Sequence, residues 1–270
     1  MRSRYNLAVL AVLIVAAVSL VFSRPPIAQP LEYHNFADQR GAFGIANFLN
    51  VASNLPFIVI GVWGLFVATS RRYAGSFLRK SERWPYVVFF TGVALTCFGS
   101  SYYHMYPAND TLVWDRLPMT LGFMGVLAAM IAERISVRVG VRLLPILVLG
   151  GVLSVVYWSW SEAHGQGDLR PYFLVQFGSL FLLLAMLLLF RPRYTQSWCW
   201  WIALGFYTVA KLLEAFDRQI YSAAGFVSGH TLKHLAGAVA AFFIAWMLRT
   251  RVPVAVADIG EQWAEATPAA

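Results

Sequence analysis

The feature that most constrains this chain is a succession of apolar runs, each about as long as one bilayer crossing. They lie near residues 5–22, 46–69, 85–104, 118–136, 142–160, 172–190, 198–216 and 229–248. A helix needs roughly 17–25 such residues to cross a hydrocarbon core. Within that core each backbone N–H and C=O must find its partner inside the segment, which selects helices. The expected fold is therefore all-α: a polytopic transmembrane bundle of seven core spans plus an N-terminal helix. The connectors are too short to hold a soluble domain. Composition agrees: 59% of the 270 residues are hydrophobic and 13% charged, against about 25% charged in a soluble domain.

The net charge of +8 would suit a nucleic-acid partner, but its distribution argues against one. Fourteen basic residues fall in one alternate set of connectors: Arg2, Arg4, Arg71, Arg72, Arg79, Lys80, Arg83, Arg134, Arg138, Arg142, Arg191, Arg193, Arg249 and Arg251. The other set holds five: Arg24, Arg40, Arg116, Arg170 and Arg218. Basic residues accumulate on the cytoplasmic side, so both termini are expected there. The preponderance of arginine over lysine and the short outer loops point to a bacterial inner membrane. Residues 1–23 are expected to be a retained membrane anchor. A second reading is a signal peptide, since "MRSR", an apolar run and "VFS" have that order. Residues 24–250 form the seven-span domain, and 251–270 read as a disordered cytoplasmic tail. Cys97 and Cys199 lie in apolar runs and read as small core residues.

All five histidines map to the outer side. His104 closes one span, and His230 and His234 open the last one in "SGHTLKHLAG". A spacing of four puts His230 and His234 on one helical face, where two imidazoles can share a metal. Three histidines with an open fourth position make a hydrolytic zinc site. Thr231 follows His230, so this is not HExxH, and the base must come from elsewhere. Asp115 is expected at the same membrane depth: Pro107 ends the helix of His104 and Pro118 suits the first turn of the next, leaving a short outer hairpin. Ser100, one turn before His104, can hydrogen-bond the reacting water or oxyanion. His164, in "SEAHGQGD", reads as a solvated loop residue. Lys211 and Glu214, three apart in "KLLEAFDRQ", read as a structural ion pair, with substrate contact as the alternative.

Ser100-xxx-His104, Asp115 and the late His230-xxx-His234 together resemble the alkaline ceramidases, part of a superfamily of seven-span membrane hydrolases that also includes the progestin and adipoQ receptors. "NFLNVASNLPF" (47–57) resembles the family's first core-span motif, and the likeness runs from about residue 33 to 248. It implies that His104, His230 and His234 bind zinc, that Asp115 is the general base, and that Ser100 assists. It implies cleavage of ceramide, or a related N-acyl lipid, to a fatty acid and a long-chain amine. In the eukaryotic members a calcium site precedes the first core span. The corresponding stretch here, "EYHNFADQRGAFGIAN" (32–47), offers Asn35, Asp38 and Asn47 as counterparts of some ligands. Calcium prefers several carboxylates, and Arg40 falls among these residues. The expectation is that Arg40 takes the place of the calcium charge by pairing with Asp38.

Two other classes compete. A non-catalytic lipid-binding receptor on the same scaffold needs neither Ser100 nor Asp115. A transporter needs polar groups through the span, whereas here they gather at one level.

Overall fold

The computed structural model describes residues 2–254. Most of the expected tail, 255–270, lies outside the described residues. Eleven α-helices occur in order: α1 (Arg2–Phe22), α2 (Phe48–Ala52), α3 (Leu55–Thr69), α4 (Arg83–Met105), α5 (Asn109–Arg134), α6 (Val137–Ala163), α7 (Arg170–Phe173), α8 (Ser179–Leu189), α9 (Trp198–Ala215), α10 (Asp217–Ala224) and α11 (Gly229–Thr250). A π-helical segment, Leu174–Gly178, joins α7 and α8 into one span. No strand is present among the described residues.

Six of these segments are long and apolar enough to cross a membrane, and a seventh counts if α9 and α10, bent by 77°, are taken as one span. The protein is a multi-pass membrane helix bundle. Helix α4 is 23 residues long, about 34 Å at the rise of an α-helix. It is not among these seven, although a span was expected near 85–104; Thr91, Thr96, Ser100, Ser101 and His104 lie along it.

Small residues bring α4 and α5 together. A Cβ on Gly92 would meet the backbone nitrogen of Gly122 at 2.6 Å, and one on Gly125 would meet that of Phe89 at the same distance. Without a hydrophobic force between helices in lipid, such close backbone packing is what holds spans together. A large core around Phe90, Met130, Trp200 and Leu248 fills the bundle, and a smaller one around Phe36, Tyr103, Leu112 and Trp158 fills the end that carries the histidines.

The helix boundaries depart from expectation at one consequential place. Helix α5 begins at Asn109, not near Pro118, which lies inside it. The connection after α4 is only residues 106–108. Thr111 Oγ1 accepts from the Ala108 N–H at 3.1 Å and so caps the earlier start. Pro118 leaves the Trp114 carbonyl without its helical donor. That carbonyl packs against Gly99 of α4, where a Cβ would lie 2.0 Å from its oxygen.

At the opposite end Arg251, the first residue of the expected tail, is buried. It pairs with Glu133 at 3.0 Å and donates to the Ser76 carbonyl at 3.0 Å.

Candidate metal centre and lipid cavity

Helix α11 starts where it does because Ser228 caps it, accepting from the Thr231 N–H at 3.1 Å. Gly229 lets this start press against the bend between α9 and α10: a Cβ there would meet the Leu213 carbonyl at 2.1 Å. Asp217, at that bend, accepts the His230 N–H at 2.7 Å. His230 and His234 then lie one turn apart, facing His104 in the last turn of α4. All three are buried. His104 Nε2 is 3.3 Å from His230 Nε2 and 3.3 Å from His234 Nε2.

These three imidazoles are placed to hold one metal ion. Metal–nitrogen bonds of about 2.0–2.1 Å in a tetrahedron set the nitrogens about 3.3 Å apart, which is the spacing of His104 Nε2 from each of the other two. The tautomer of His234 agrees. Ser53 Oγ donates to the Asn50 carbonyl at 3.0 Å, so it accepts from His234 Nδ1–H at 2.8 Å and leaves Nε2 with its lone pair. Such an outer partner orients a ligating histidine. Asn47 Nδ2 donates to the His104 carbonyl at 2.8 Å, and Asn50 Oδ1 accepts from Thr231 Oγ1 at 2.8 Å. The asparagine-rich segment thus ties α4 to α11. The Phe36 ring covers the centre, 4.7 Å from the rings of both His104 and His230.

Ser100 and Asp115 are both buried and line one cavity with His234. Each follows a residue of the tight Gly99–Trp114 contact, so that contact brings the hydroxyl beside the carboxylate. The cavity holds about 410 Å³. Its outer end is polar, with Gln29, Tyr33, Arg116, Lys211, Glu214 and Lys233; its inner end is apolar, closed by Trp200, Val126, Leu183 and Ile244. Asp115 to Val126 is eleven residues of α5, about 16 Å along the axis, or half the hydrocarbon thickness of a bilayer.

The Lys211–Glu214 pair is present, and Lys233 joins it from α11, 2.6 Å from the other Glu214 oxygen. The Tyr33 hydroxyl donates to that oxygen at 3.2 Å. Asn35, Asp38, Arg40 and Asn47 do not converge on one point. Both Asp38 oxygens accept from Arg40, at 2.8 Å each. These bonds hold the Asp38 carboxyl below the usual carboxylate range. Asn35 Oδ1 accepts from Gln39, while Asn47 turns to His104. Arg40 also reaches the Phe226 carbonyl at 2.8 Å, just before the cap of α11. His164 is exposed, its Nδ1 2.8 Å from the Trp160 carbonyl.

The sequence model of the ceramidase family matches residues 42–199. The chain belongs to the ceramidase family. No curated protein matches it. The matched region of this ceramidase-family chain contains Ser100, His104 and Asp115, and His230 and His234 lie beyond it. Membership implies an amidase-type hydrolase with a ceramide-like lipid substrate, and the buried histidine cluster fits a metal site.

Sequence reasoning missed Ser53, Asn50, Asp217 and Phe36 as supports of the centre. Ser53 and Asn50 lie in the segment singled out as a motif. Asp217 carried only a charge signal in "EAFDRQ", and Phe36 carried none.

Proposed function

We propose that this protein is a zinc-dependent amide hydrolase that cleaves ceramide or a related N-acyl lipid to a fatty acid and a long-chain amine. The observation that carries this reading is the convergence of three histidine side chains, with His104 Nε2 3.3 Å from the Nε2 of both His230 and His234, beside a cavity lined by His234, Asp115 and Ser100. Three neutral imidazoles suit zinc. His104, His230 and His234 would hold it, and when bound it supplies Lewis acidity toward water and the amide carbonyl.

The chain's own groups do the rest. Asp115 takes a proton from the attacking water and returns it to the departing amine nitrogen, so one water is consumed and no proton is left over. The Ser100 hydroxyl donates to the carbonyl oxygen as charge builds there. The apolar inner cavity takes one hydrocarbon chain and keeps bulk water from the reacting bond. Asp115 and Ser100 beside the histidines favour chemistry over a receptor role, which needs neither.

Arg40 serves in place of calcium by occupying both oxygens of Asp38. A calcium requirement for activity, with the ion bound near Asp38, would overturn that assignment. The site faces the periplasm in a bacterial inner membrane, with both termini cytoplasmic. Labelling of a cysteine placed at His164 from the outer side of intact cells tests the orientation.

The central test is zinc-loaded protein with a panel of ceramides and other N-acyl lipids, reading released fatty acid by mass spectrometry. Release lost in both Asp115→Asn and His230→Ala is expected. No release from any lipid, with zinc bound and the fold intact, would sink the reading.

A further inference from the structure

Arg116 is a buried cation to which the reaction above gives no task. It follows Asp115 on α5, is 6% exposed, and lines the outer end of the cavity. Its guanidinium carbon lies 4.1 Å from the ring centre of Trp158 and 4.7 Å from that of Tyr172. One nitrogen, Nη2, donates to Gln29 Oε1 at 2.5 Å. The other, Nη1, is buried without a partner. Lys211 and Lys233, the other cations of the cavity wall, both pair with Glu214. No carboxylate among the described residues pairs with Arg116 in this way. Ring faces and one amide oxygen stabilise a buried guanidinium only in part. The Nη1 donor is left for an occupant of the cavity to meet.

We infer that Arg116 receives an anionic group, a carboxylate or a phosphate, carried on the amine half of the lipid amide. This rests on the amidase reading. The inner cavity is lined by apolar side chains and takes hydrocarbon, so the anion belongs to the substituent at the outer mouth, next to the amide. A guanidinium matches the two oxygens of either anion, and this one lies over the rings of Trp158 and Tyr172. The preferred substrates are thus acidic N-acyl lipids, such as an N-acyl amino acid or a ceramide phosphate, rather than neutral ceramide.

The test compares three amides with the same acyl chain: a neutral ceramide, its 1-phosphate, and an N-acyl amino acid. The wild-type, Arg116→Gln and Arg116→Lys proteins are each assayed zinc-loaded. At least one acidic lipid is expected to show a kcat/KM about tenfold or more above the neutral one. Arg116→Gln should collapse that ratio through KM, and Arg116→Lys should restore it only in part. The phosphate and carboxylate arms tell which anion is read. A neutral lipid cleaved as well as both acidic ones, or a ratio unmoved in Arg116→Gln, overturns the inference while leaving the amidase reading standing. Binding of hexadecyl phosphate and palmitate against hexadecanol gives a readout independent of turnover. Tighter binding of an anion, lost in Arg116→Gln, supports the inference even if no amide is cleaved; equal binding refutes it.

Discussion

Ser53 accepts the Nδ1–H of His234 at 2.8 Å while donating its own proton to the Asn50 carbonyl at 3.0 Å. A hydroxyl on the first core span thereby decides which nitrogen of a histidine on the last span faces the centre. Partners of this kind are worth about 10–100-fold in metal affinity. Ser53→Ala is expected to lower zinc affinity by about that factor in a chelator competition, with the helical content unchanged. An unchanged affinity would remove Ser53 from the centre's design.

A metal held by the three histidines should also stabilise the fold. Its three ligands come from two helices far apart in sequence, and a ligand that binds only the folded state stabilises it by mass action, about 4 kcal/mol at a thousandfold excess over Kd. Stripping the metal with a chelator should lower the thermal midpoint, and His104→Ala should show the low midpoint with or without added zinc. A midpoint indifferent to metal in the wild type would contradict this.

Gly99→Ala tests the seam that sets Ser100 beside Asp115. Its new Cβ would lie 2.0 Å from the Trp114 carbonyl oxygen, which is backbone and cannot turn aside. Overpacking of this kind costs about 1–3 kcal/mol, and the α4–α5 spacing must widen. Turnover should fall in parallel with the midpoint while zinc content stays at one per chain. Wild-type stability and turnover would show that the seam can yield.

Gly122 offers the opposite case. It lines the cavity, and a Cβ on it meets nothing within 4 Å. It lies seven residues beyond Asp115, about 10 Å down the axis of α5. Gly122→Leu should keep the fold and move acyl preference toward shorter chains, measured as kcat/KM across a chain-length series. An unshifted profile would mean that the hydrocarbon takes another route.

Two carboxylates in the loops at the site end set an acid limit. Arg40 and Arg170, each donating to the aspartate two residues before it, hold Asp38 and Asp168 below the usual carboxylate range. A depressed folded-state value gives stability that is complete above the unfolded value, near 4, and is lost as pH falls through the folded value. Loop protection from proteolysis should therefore be flat from neutral pH to about 5 and fall below 4. Asp38→Asn should weaken protection near the Arg40 loop at neutral pH and flatten its acid dependence. The exposed side of Arg40 leaves part of this pair screened by solvent.

The helical runs and the grouping of Ser100, His104, His230 and His234 were legible because each carries a signal in its own neighbourhood, whereas Asp115 was set at their depth through an outer hairpin that the structure replaces with helix α5. Apolar run length gives the spans, and a spacing of four gives Ser100 with His104 and His230 with His234. The Lys211–Glu214 pair follows from the same periodicity. The start of α5 was misread because proline is common in a first helical turn. Here Gly99, on a different helix, accommodates the carbonyl that Pro118 leaves free, and no local pattern reports that. Ser53, Asp217 and Phe36 were missed for the same reason: their roles depend on the register between helices. Lys233 pairs with Glu214 nineteen residues earlier, a separation that no local spacing reports.

The distribution of ligands along the chain also bears on how the protein is made. His104 is inserted with the second core helix, whereas His230 and His234 arrive with the last. A ribosome delivers the chain from its N-terminus, so the centre stays incomplete until α11 has entered the membrane. Uptake of a metal at this centre would then be the closing event of biogenesis, and a chain truncated before Gly229 would leave the insertion machinery with one of the three histidines.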